Sequence, residues 1–287
     1  MTPPTGRRPV FDLISEAANR LTPSERRVAE SVMQDPKIVA FGTVAQLAEL
    51  SGSSGPTVLR FAAKLGFDGF VELQASVQEE IADQLRPATQ RIRERQPTDV
   101  LGRTLAADLD NVRTTLGEVE PEDFRQAVEL LADRRRRVFV ISSDVSGGAG
   151  RSLAAQLDLL RDGVFEITGT PVKVSRDLVR IEPADVVVVF DLRRYERWVL
   201  EATARAADTG ATLVALTDGR LSPLAERAAL TFVVAARGVG PFDSAVGAIS
   251  LVHALVAAVA ARLRRSATSR LDAVEESWRA GTDLVEQ

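Results

Sequence analysis

From residue 11 to about residue 85, apolar positions recur at helical spacing between short polar breaks, and no stretch shows the two-residue alternation of a half-buried strand. The helix starts carry chemical marks. Thr22-Pro23 with Glu25, and Thr43 with Gln46, place a hydroxyl ahead of a first turn and an acceptor three residues on, which satisfies amides that a helix start leaves open. Asp35-Pro36 and Gly66 supply stops. Beyond about residue 105 the pattern changes. Two helical stretches lead into Val138-Phe-Val-Ile-Ser142, and β-branched runs follow at residues 164–168, 186–190, 213–217 and 231–234, separated by helical segments. Near-continuous apolar strands alternating with helices predict a parallel sheet covered on both faces. Open sheets of that kind bind ligands beyond the carboxyl ends of their strands, so the segments after Ser142, Phe190 and Thr217 are the candidate ligand loops.

These patterns divide the chain into a helical domain over residues 1–85, a linker over 86–104, an α/β domain over 105–265 and a helical tail over 266–287. The linker is charged and contains Pro87 and Pro97. Residues 1–10 are rich in Thr, Pro and Arg and lack the apolar core of a signal peptide, so they read as a flexible lead-in. The long apolar run at 245–261 is alanine-rich, carries His253 and falls at the short end of membrane-spanning length, so a buried helix is expected and no membrane partner. The length of 287 residues suffices for two cores, and 45% hydrophobic with 26% charged residues is ordinary for a globular chain. The absence of cysteine removes disulfides, thiolate metal sites and thiol catalysis, and a cytoplasmic location is expected. A net charge of −4 argues against wholesale electrostatic coating of nucleic acid, so any DNA contact is local.

Within the first domain, Val44, Leu47 and Ala48 share one face of a short helix that ends in Ser51-Gly52-Ser53. A second helix begins near Ser54. Its Val58, Phe61, Ala62 and Leu65 fall at i, i+3, i+4 and i+7 and form a buried stripe, while Thr57, Arg60 and Lys64 share the other side. Two short helices, a glycine-containing turn and a cationic outer face make a helix-turn-helix, whose second helix presents its amino-terminal end to the major groove of a double-stranded operator. Thr43, Ser54, Gly55, Pro56, Thr57, Arg60 and Lys64 are therefore the candidate DNA-binding residues: hydroxyls and amides for phosphates or base edges, Arg60 and Lys64 for phosphate or guanine. A plain helical hairpin with a solvated polar face shares the pattern.

The stretch from Leu21 to Leu73 resembles the amino-terminal domain of the RpiR family of bacterial regulators. The resemblance rests on Leu21-Thr-Pro-Ser-Glu-Arg26, Thr43-Val-Ala-Gln-Leu-Ala48, Thr57-Val-Leu-Arg-Phe61, Lys64-Leu-Gly-Phe67 and Gly69-Phe70. Gly55-Pro56 stands where the family usually shows a helix-favouring pair such as Glu-Ala. Proline is tolerated in a first turn, but it alters the helix start, and the operator is not carried over from relatives.

The region from about residue 105 to 263 similarly resembles the sugar isomerase (SIS) domain that comes after the helical domain in RpiR-type regulators. The implied architecture is α + α/β: an all-helical helix-turn-helix domain followed by a three-layer αβα SIS domain with a parallel sheet. The family's first ligand loop, Gly-x-Gly-x-Ser-Gly, reads here Ser142-Ser143-Asp-Val-Ser146-Gly147. The serine and last glycine match, while Ser142 and Asp144 replace the loop glycines. The second family loop, rich in hydroxyls, becomes Asp191-Leu-Arg193-Arg194-Tyr195-Glu196, whose guanidinium forks suit phosphate or carboxylate. Ion pairing at a subunit contact is the alternative for the two arginines. Thr217-Asp218-Gly-Arg-Leu-Ser222 matches the family's third loop, and Ser244 precedes the last apolar helix. The candidate effector-binding residues are thus Ser142, Ser143, Ser146, Gly147, Asp191, Arg193, Arg194, Tyr195, Thr217, Ser222 and Ser244.

The resemblance implies a DNA-binding transcriptional regulator controlled by a small anionic metabolite, a sugar phosphate or another carbohydrate derivative, and assembled as a homodimer or homotetramer. A phosphosugar isomerase and an interaction module that has lost ligand binding are the competing readings. An isomerase needs a positioned acid and base, and the single histidine, His253, inside the apolar helix, reads as a satisfied or core-lining residue. No catalytic residue, metal or cofactor is assigned. Gly148-Ala-Gly150 lacks the full dinucleotide fingerprint. Arg134 to Arg137 reads as a solvated face or an interdomain contact rather than a DNA patch.

Overall fold

The computed structural model describes residues 10–17, 20–34, 36–85, 87–93, 98–220 and 222–281. The lead-in up to Pro9, the stop residue Asp35, Arg86 and Pro97 of the linker, Leu221 of the third ligand loop and the last six residues of the tail lie outside them. The chain forms two compact units, Met1–Pro87 and Ala88–Gln287.

The first unit is helical: α1 (Val10–Ala17), α2 (Pro23–Gln34), α3 (Pro36–Phe41), α4 (Val44–Leu50), α5 (Gly55–Lys64) and α6 (Phe70–Leu85). Both expected capping boxes form. The Glu25 carboxylate accepts from the Thr22 amide at 2.8 Å, and Gln46 Oε1 accepts from the Thr43 amide at 2.8 Å. Val28, Val32, Leu47, Val58, Phe61 and Leu73 build a common core, so the turn between α4 and α5 is fixed from below. It is also clamped from α2, whose Arg27 donates to the carbonyls of Ser51 at 3.2 Å and Gly52 at 3.1 Å. Gly52 occupies the left-handed region at φ 56, where a side chain is strained.

The second unit comprises α7 (Ala88–Arg91), α8 (Val100–Gly117), α9 (Pro121–Ala132), β1 (Val138–Ser142), α10 (Gly147–Leu160), β2 (Val164–Ile167), α11 (Pro171–Leu178), β3 (Val186–Phe190), α12 (Arg197–Asp208), β4 (Thr212–Thr217), β5 (Leu230–Val233), α13 (Val246–Arg262) and α14 (Arg264–Gly281). Every strand pair is parallel, in the order β2-β1-β3-β4-β5. Alternate strand residues feed two cores. Val138, Val140, Val186, Val188 and Leu216 pack with α9, α10 and α13, while Phe139, Ile141, Val187 and Val189 pack with α11 and α12. This is the expected three-layer arrangement, with strands within one residue of their expected bounds. Within the segment read as a linker, α7 and the first turn of α8 are already helical; the Asp99 carboxylate accepts from the Gly102 amide at 2.9 Å and caps α8. The tail is docked at its start: Ala267 is buried, and Arg270 donates to the Asp158 carbonyl at 2.9 Å.

Two further expectations change. His253 does not line the core; it is exposed on α13, whose buried side carries Leu251, Val252, Leu255 and Val259. A helix so apolar keeps only one side in the core because it forms an outer layer. The arginine run is a solvated face only in part. Arg134 and Arg135 are exposed, with Arg135 paired to Asp133 at 3.0 Å, whereas Arg137 forks onto the buried Asp185 at 2.9 and 2.7 Å, at the end of the sheet opposite the ligand loops. No single helix among the described residues is long and apolar enough to cross a membrane.

Arg161 ties the amino end of the sheet together. Its side chain is 1% exposed, has no carboxylate partner among the described residues, and donates to the carbonyls of Leu131 at 2.6 Å, Asp133 at 3.0 Å, Asp162 at 3.0 Å and Arg136. Burial pushes its pKa down, yet the four carbonyl dipoles keep the cation compensated. Arg161→Leu strands those acceptors and should cost about 3 kcal/mol or more of unfolding free energy, read as a lower urea midpoint with unchanged slope.

Candidate functional site

The candidate reading helix α5 is preceded by Ser54, an extended N-cap residue at φ −117, with Pro56 in the first turn. Pro56 has no amide, so the open end of α5 offers fewer donors than an ordinary helix start. Ser54 and Pro56 are exposed and Gly55 is half-buried, as a contact surface requires. Arg60 is exposed, and no carboxylate pairs with it among the described residues. Its guanidinium donates to Thr57 Oγ1 at 3.0 Å, and that hydroxyl also lies 2.9 Å from Ser54 Oγ.

Three sequence assignments shift in role. Thr57 is only 5% exposed, so its hydroxyl links Ser54 to Arg60 from within the fold instead of facing a base edge. Lys64 donates to Glu25 Oε2 at 2.6 Å and to the Arg20 carbonyl at 3.1 Å, bracing α5 against the start of α2. Burial pushes the Glu25 carboxyl up, but Lys64 and Thr22 together outweigh it and hold it down at about 2. The Thr43 hydroxyl is engaged with Gln46 in its cap. Leu59, 46% exposed on α5, has no role in the sequence reading, which places only Val58, Phe61, Ala62 and Leu65 in the buried stripe.

In the α/β unit the chain leaves β1 outward to β2 and crosses back to β3, so the strand order reverses between β1 and β3 and opens a crevice at their carboxyl ends. The first loop lies against the start of α10, and the approach is close. A Cβ at Gly150 would sit 2.7 Å from the Ser142 side chain. Ser143 Oγ accepts from the Ser146 amide at 3.3 Å, and Ser146, with Gly147, opens α10. Ser146 is 7% exposed, and its Oγ has no hydrogen-bond partner among the described residues.

The second loop brings carboxylates rather than hydroxyls to the crevice. Asp191 is 2% exposed and accepts from the Glu196 amide at 2.8 Å. Burial pushes its carboxyl up to about 6 in spite of that bond and one from Ser143. Glu196 Oε1 accepts from the Asp144 amide at 2.8 Å, and its other oxygen accepts from the Trp198 indole. A carboxylate of the chain thus occupies an amide of the first loop. Arg194 is exposed and left-handed at φ 68, whereas Arg193 reaches Asp243 at 3.4 Å through two nitrogens.

Ser146, Phe190, Leu192, Asp243, Ser244 and Ala248 line a cavity of about 20 Å³, room for roughly one water. The other assigned residues do not all join it. Tyr195 donates to Asp218 at 2.6 Å, which together with burial pushes the phenol up, and Thr217 donates to Ser222 at 2.8 Å; these form a separate network at the end of β4. Ser244 donates to Asp108 of α8 at 2.6 Å. Asp243, Glu196 and Arg91 were missed. Arg91, in the segment read as a linker, donates to Asp243 at 2.8 Å across 152 residues of sequence, a separation no local pattern reveals.

Residues 10–84 match the model of the rpiR-family helix-turn-helix domain, and residues 130–258 match that of the SIS domain. The chain is 26% identical over 226 residues to the HTH-type transcriptional regulator HexR of Pseudomonas aeruginosa, covering 77% of each protein. It is 25% identical over 236 residues to HexR of Escherichia coli, covering 78% of this chain and 77% of that one. Among solved structures, the sugar isomerase domain of an RpiR transcription factor from Sphaerobacter thermophilus superposes with a TM-score of 0.59 at 29% identity, covering 62% of this chain and 99% of that one. The Vibrio vulnificus NanR protein, solved with ManNAc-6P, shares the fold with a TM-score of 0.55 at 19% identity, covering 94% and 98%.

Asp191 sets a pH dependence with a defined sign. Its folded pKa of about 6 lies above the ordinary 3.8, so the folded state takes up the proton first and gains stability as pH falls from above 6 toward 4. The difference in unfolding free energy between the wild type and Asp191→Asn should therefore change across this window in the wild type's favour at low pH. A constant difference between pH 7.5 and 4.5 refutes the buried charge.

Proposed function

Because the chain belongs to the RpiR family of transcriptional regulators, an rpiR-type helix-turn-helix domain joined to a SIS domain, we propose that α5 reads operator DNA under the control of a small anionic metabolite. The observation that carries the DNA-reading half is Arg60: an exposed guanidinium with no carboxylate partner among the described residues, oriented by Thr57 on a helix whose turn is clamped by Arg27. Ser54, Gly55, Pro56 and Arg60 form the contact surface, with Leu59 beside them for an apolar contact such as a thymine methyl. Thr43, Thr57 and Lys64 support that surface through the hydrogen bonds they make inside the domain.

The effector half is supported by the crevice at the β1/β3 reversal. Its polar groups are Arg193, the unpartnered Ser146 hydroxyl and Ser244, with Ser142, Ser143, Gly147 and Asp191 shaping the first loop and Arg194, Tyr195, Thr217 and Ser222 its rim. A sugar phosphate or another carbohydrate-derived anion suits this chemistry. The ManNAc-6P bound by NanR is an instance of that class on the same fold. The chain works in the cytoplasm as a homodimer or homotetramer, pairing helix-turn-helix units on a near-palindromic operator. No catalysis is assigned. Asp191 has the raised pKa of a general base, but it is 2% exposed and held by the Glu196 amide.

Arg60→Ala should weaken specific binding to the operator by roughly 10- to 100-fold, about 1–3 kcal/mol, with an unchanged thermal midpoint. Lys64→Ala should instead lower stability by about 2 kcal/mol, less than for a fully buried pair because Lys64 is 38% exposed. Electrophoretic mobility at two salt concentrations with excess competitor DNA, paired with thermal melts, reads both. Normal specific binding by Arg60→Ala overturns the assignment of α5.

A further inference from the structure

The acidic and basic groups around Asp243 do not balance. Arg91 donates through Nη1 at 2.8 Å, Arg193 reaches the same carboxylate at 3.4 Å, and the three side chains are 22%, 24% and 12% exposed, respectively for Arg91, Arg193 and Asp243. Two cations on one anion leave this trio of side chains with a net positive charge, largely withdrawn from water, while the Asp108 carboxylate near the same cavity is engaged by Ser244. Hydrogen bonding is short as well. Arg91 Nε is buried with no partner among the described residues, although a guanidinium fork is built to hold two oxygens. Asp243 lines the same small cavity as Ser146, whose buried hydroxyl is also unpartnered. A buried donor left unmade costs free energy, so two of them beside an excess positive charge mark a place for an oxyanion.

Resting on the effector reading above, we infer that Arg91 is an effector-binding residue: Asp243 is an internal counter-anion shared by Arg91 and Arg193, and the ligand's phosphate or carboxylate takes its place on both guanidinium groups. The 3.4 Å reach of Arg193 is the loose side of this arrangement and the side on which an incoming oxyanion competes best. Arg91 belongs to α7, which opens the second unit directly after the helix-turn-helix unit ends at Pro87. A ligand held by Arg91 therefore acts on the segment of chain that leads out of the DNA-binding domain. Differential affinity for the two states of the Arg91–Asp243 pair is what lets occupancy bias that segment.

The test unmasks the site in the full-length protein, with inorganic phosphate and acetate as the two probes at constant ionic strength. Asp243→Asn removes the internal anion, so its affinity for one probe, measured by calorimetry and by the probe dependence of the thermal midpoint, should exceed the wild type's by at least about tenfold. The preferred probe identifies phosphate or carboxylate as the ligand group. The gain should vanish in Asp243→Asn/Arg91→Ala and in Asp243→Asn/Arg193→Ala. A gain that persists without Arg91 but is lost without Arg193 overturns the inference and leaves the effector crevice standing. A gain that survives both double substitutions, or no gain in Asp243→Asn at all, overturns both.

Discussion

A parallel sheet buried on both faces leaves itself one place for polar chemistry, and in the α/β unit that place is the carboxyl edge where the order reverses between β1 and β3. Val138 to Ile141 and Val186 to Phe190 are almost fully buried, so neither strand carries a functional group along its length. The loop after each strand must then do two jobs at once. Ser142 lies so close to α10 that a side chain at Gly150 would collide with it, and Asp191 accepts the Glu196 amide that turns the chain into α12. The geometry of the crevice is inherited from packing, and the loops only choose what chemistry it presents.

Here the choice is distinctive, because the chain supplies its own anions. Glu196 holds the Asp144 amide, Asp243 holds Arg91 and Arg193, and in the other unit Glu25 holds Lys64 and the Thr22 amide. A carboxylate taken out of water is tolerable only when donors surround it, and removing its partner costs more than the pair contributes. The Glu25 site is well served: two donors from Thr22 and one from Lys64 converge on one oxygen. Asp191 is less well served, and its raised pKa reports the deficit. Around Asp243 the imbalance is reversed: donors are in excess and acceptors are lacking. The Glu25 site balances its donors and acceptors, and the Asp243 site does not.

How much of this is legible in the sequence depends on the range of the interaction. Both capping boxes, the glycine turn and the strands rest on residues a few positions apart, and each stands where its local pattern puts it. The two-faced sheet is implied by runs such as Val186-Val-Val-Val-Phe190, which no half-exposed strand would carry. Thr57 and Lys64 were legible as members of α5 but not in their roles. Helical spacing places them on the polar side, while tertiary contacts turn one toward Ser54 and the other toward Glu25. Arg91, Asp243 and Arg193 come together across separations of 152 and 50 residues, and only the fold joins them. His253 shows the opposite error: an apolar neighbourhood in sequence is not burial when a helix forms an outer layer.

The departure at Gly55-Pro56 gains a physical meaning from the same hydrogen bonds. An ordinary recognition helix offers several open amides to a phosphate, and Pro56 removes one of them. The first turn is tight as well, since the Thr57 and Val58 amides both point to the Ser54 carbonyl at 2.8 and 3.1 Å. Ser54 Oγ, Thr57 Oγ1 and the Arg60 guanidinium then form a chain of polar contacts running nearly two turns along the helix. Holding a long side chain in one rotamer before contact lowers the entropy lost on binding. A helix start poor in amides is therefore compatible with sequence reading when an arginine on the same helix is already oriented, and under the proposed function the burden of recognition moves from the backbone end of α5 to Arg60.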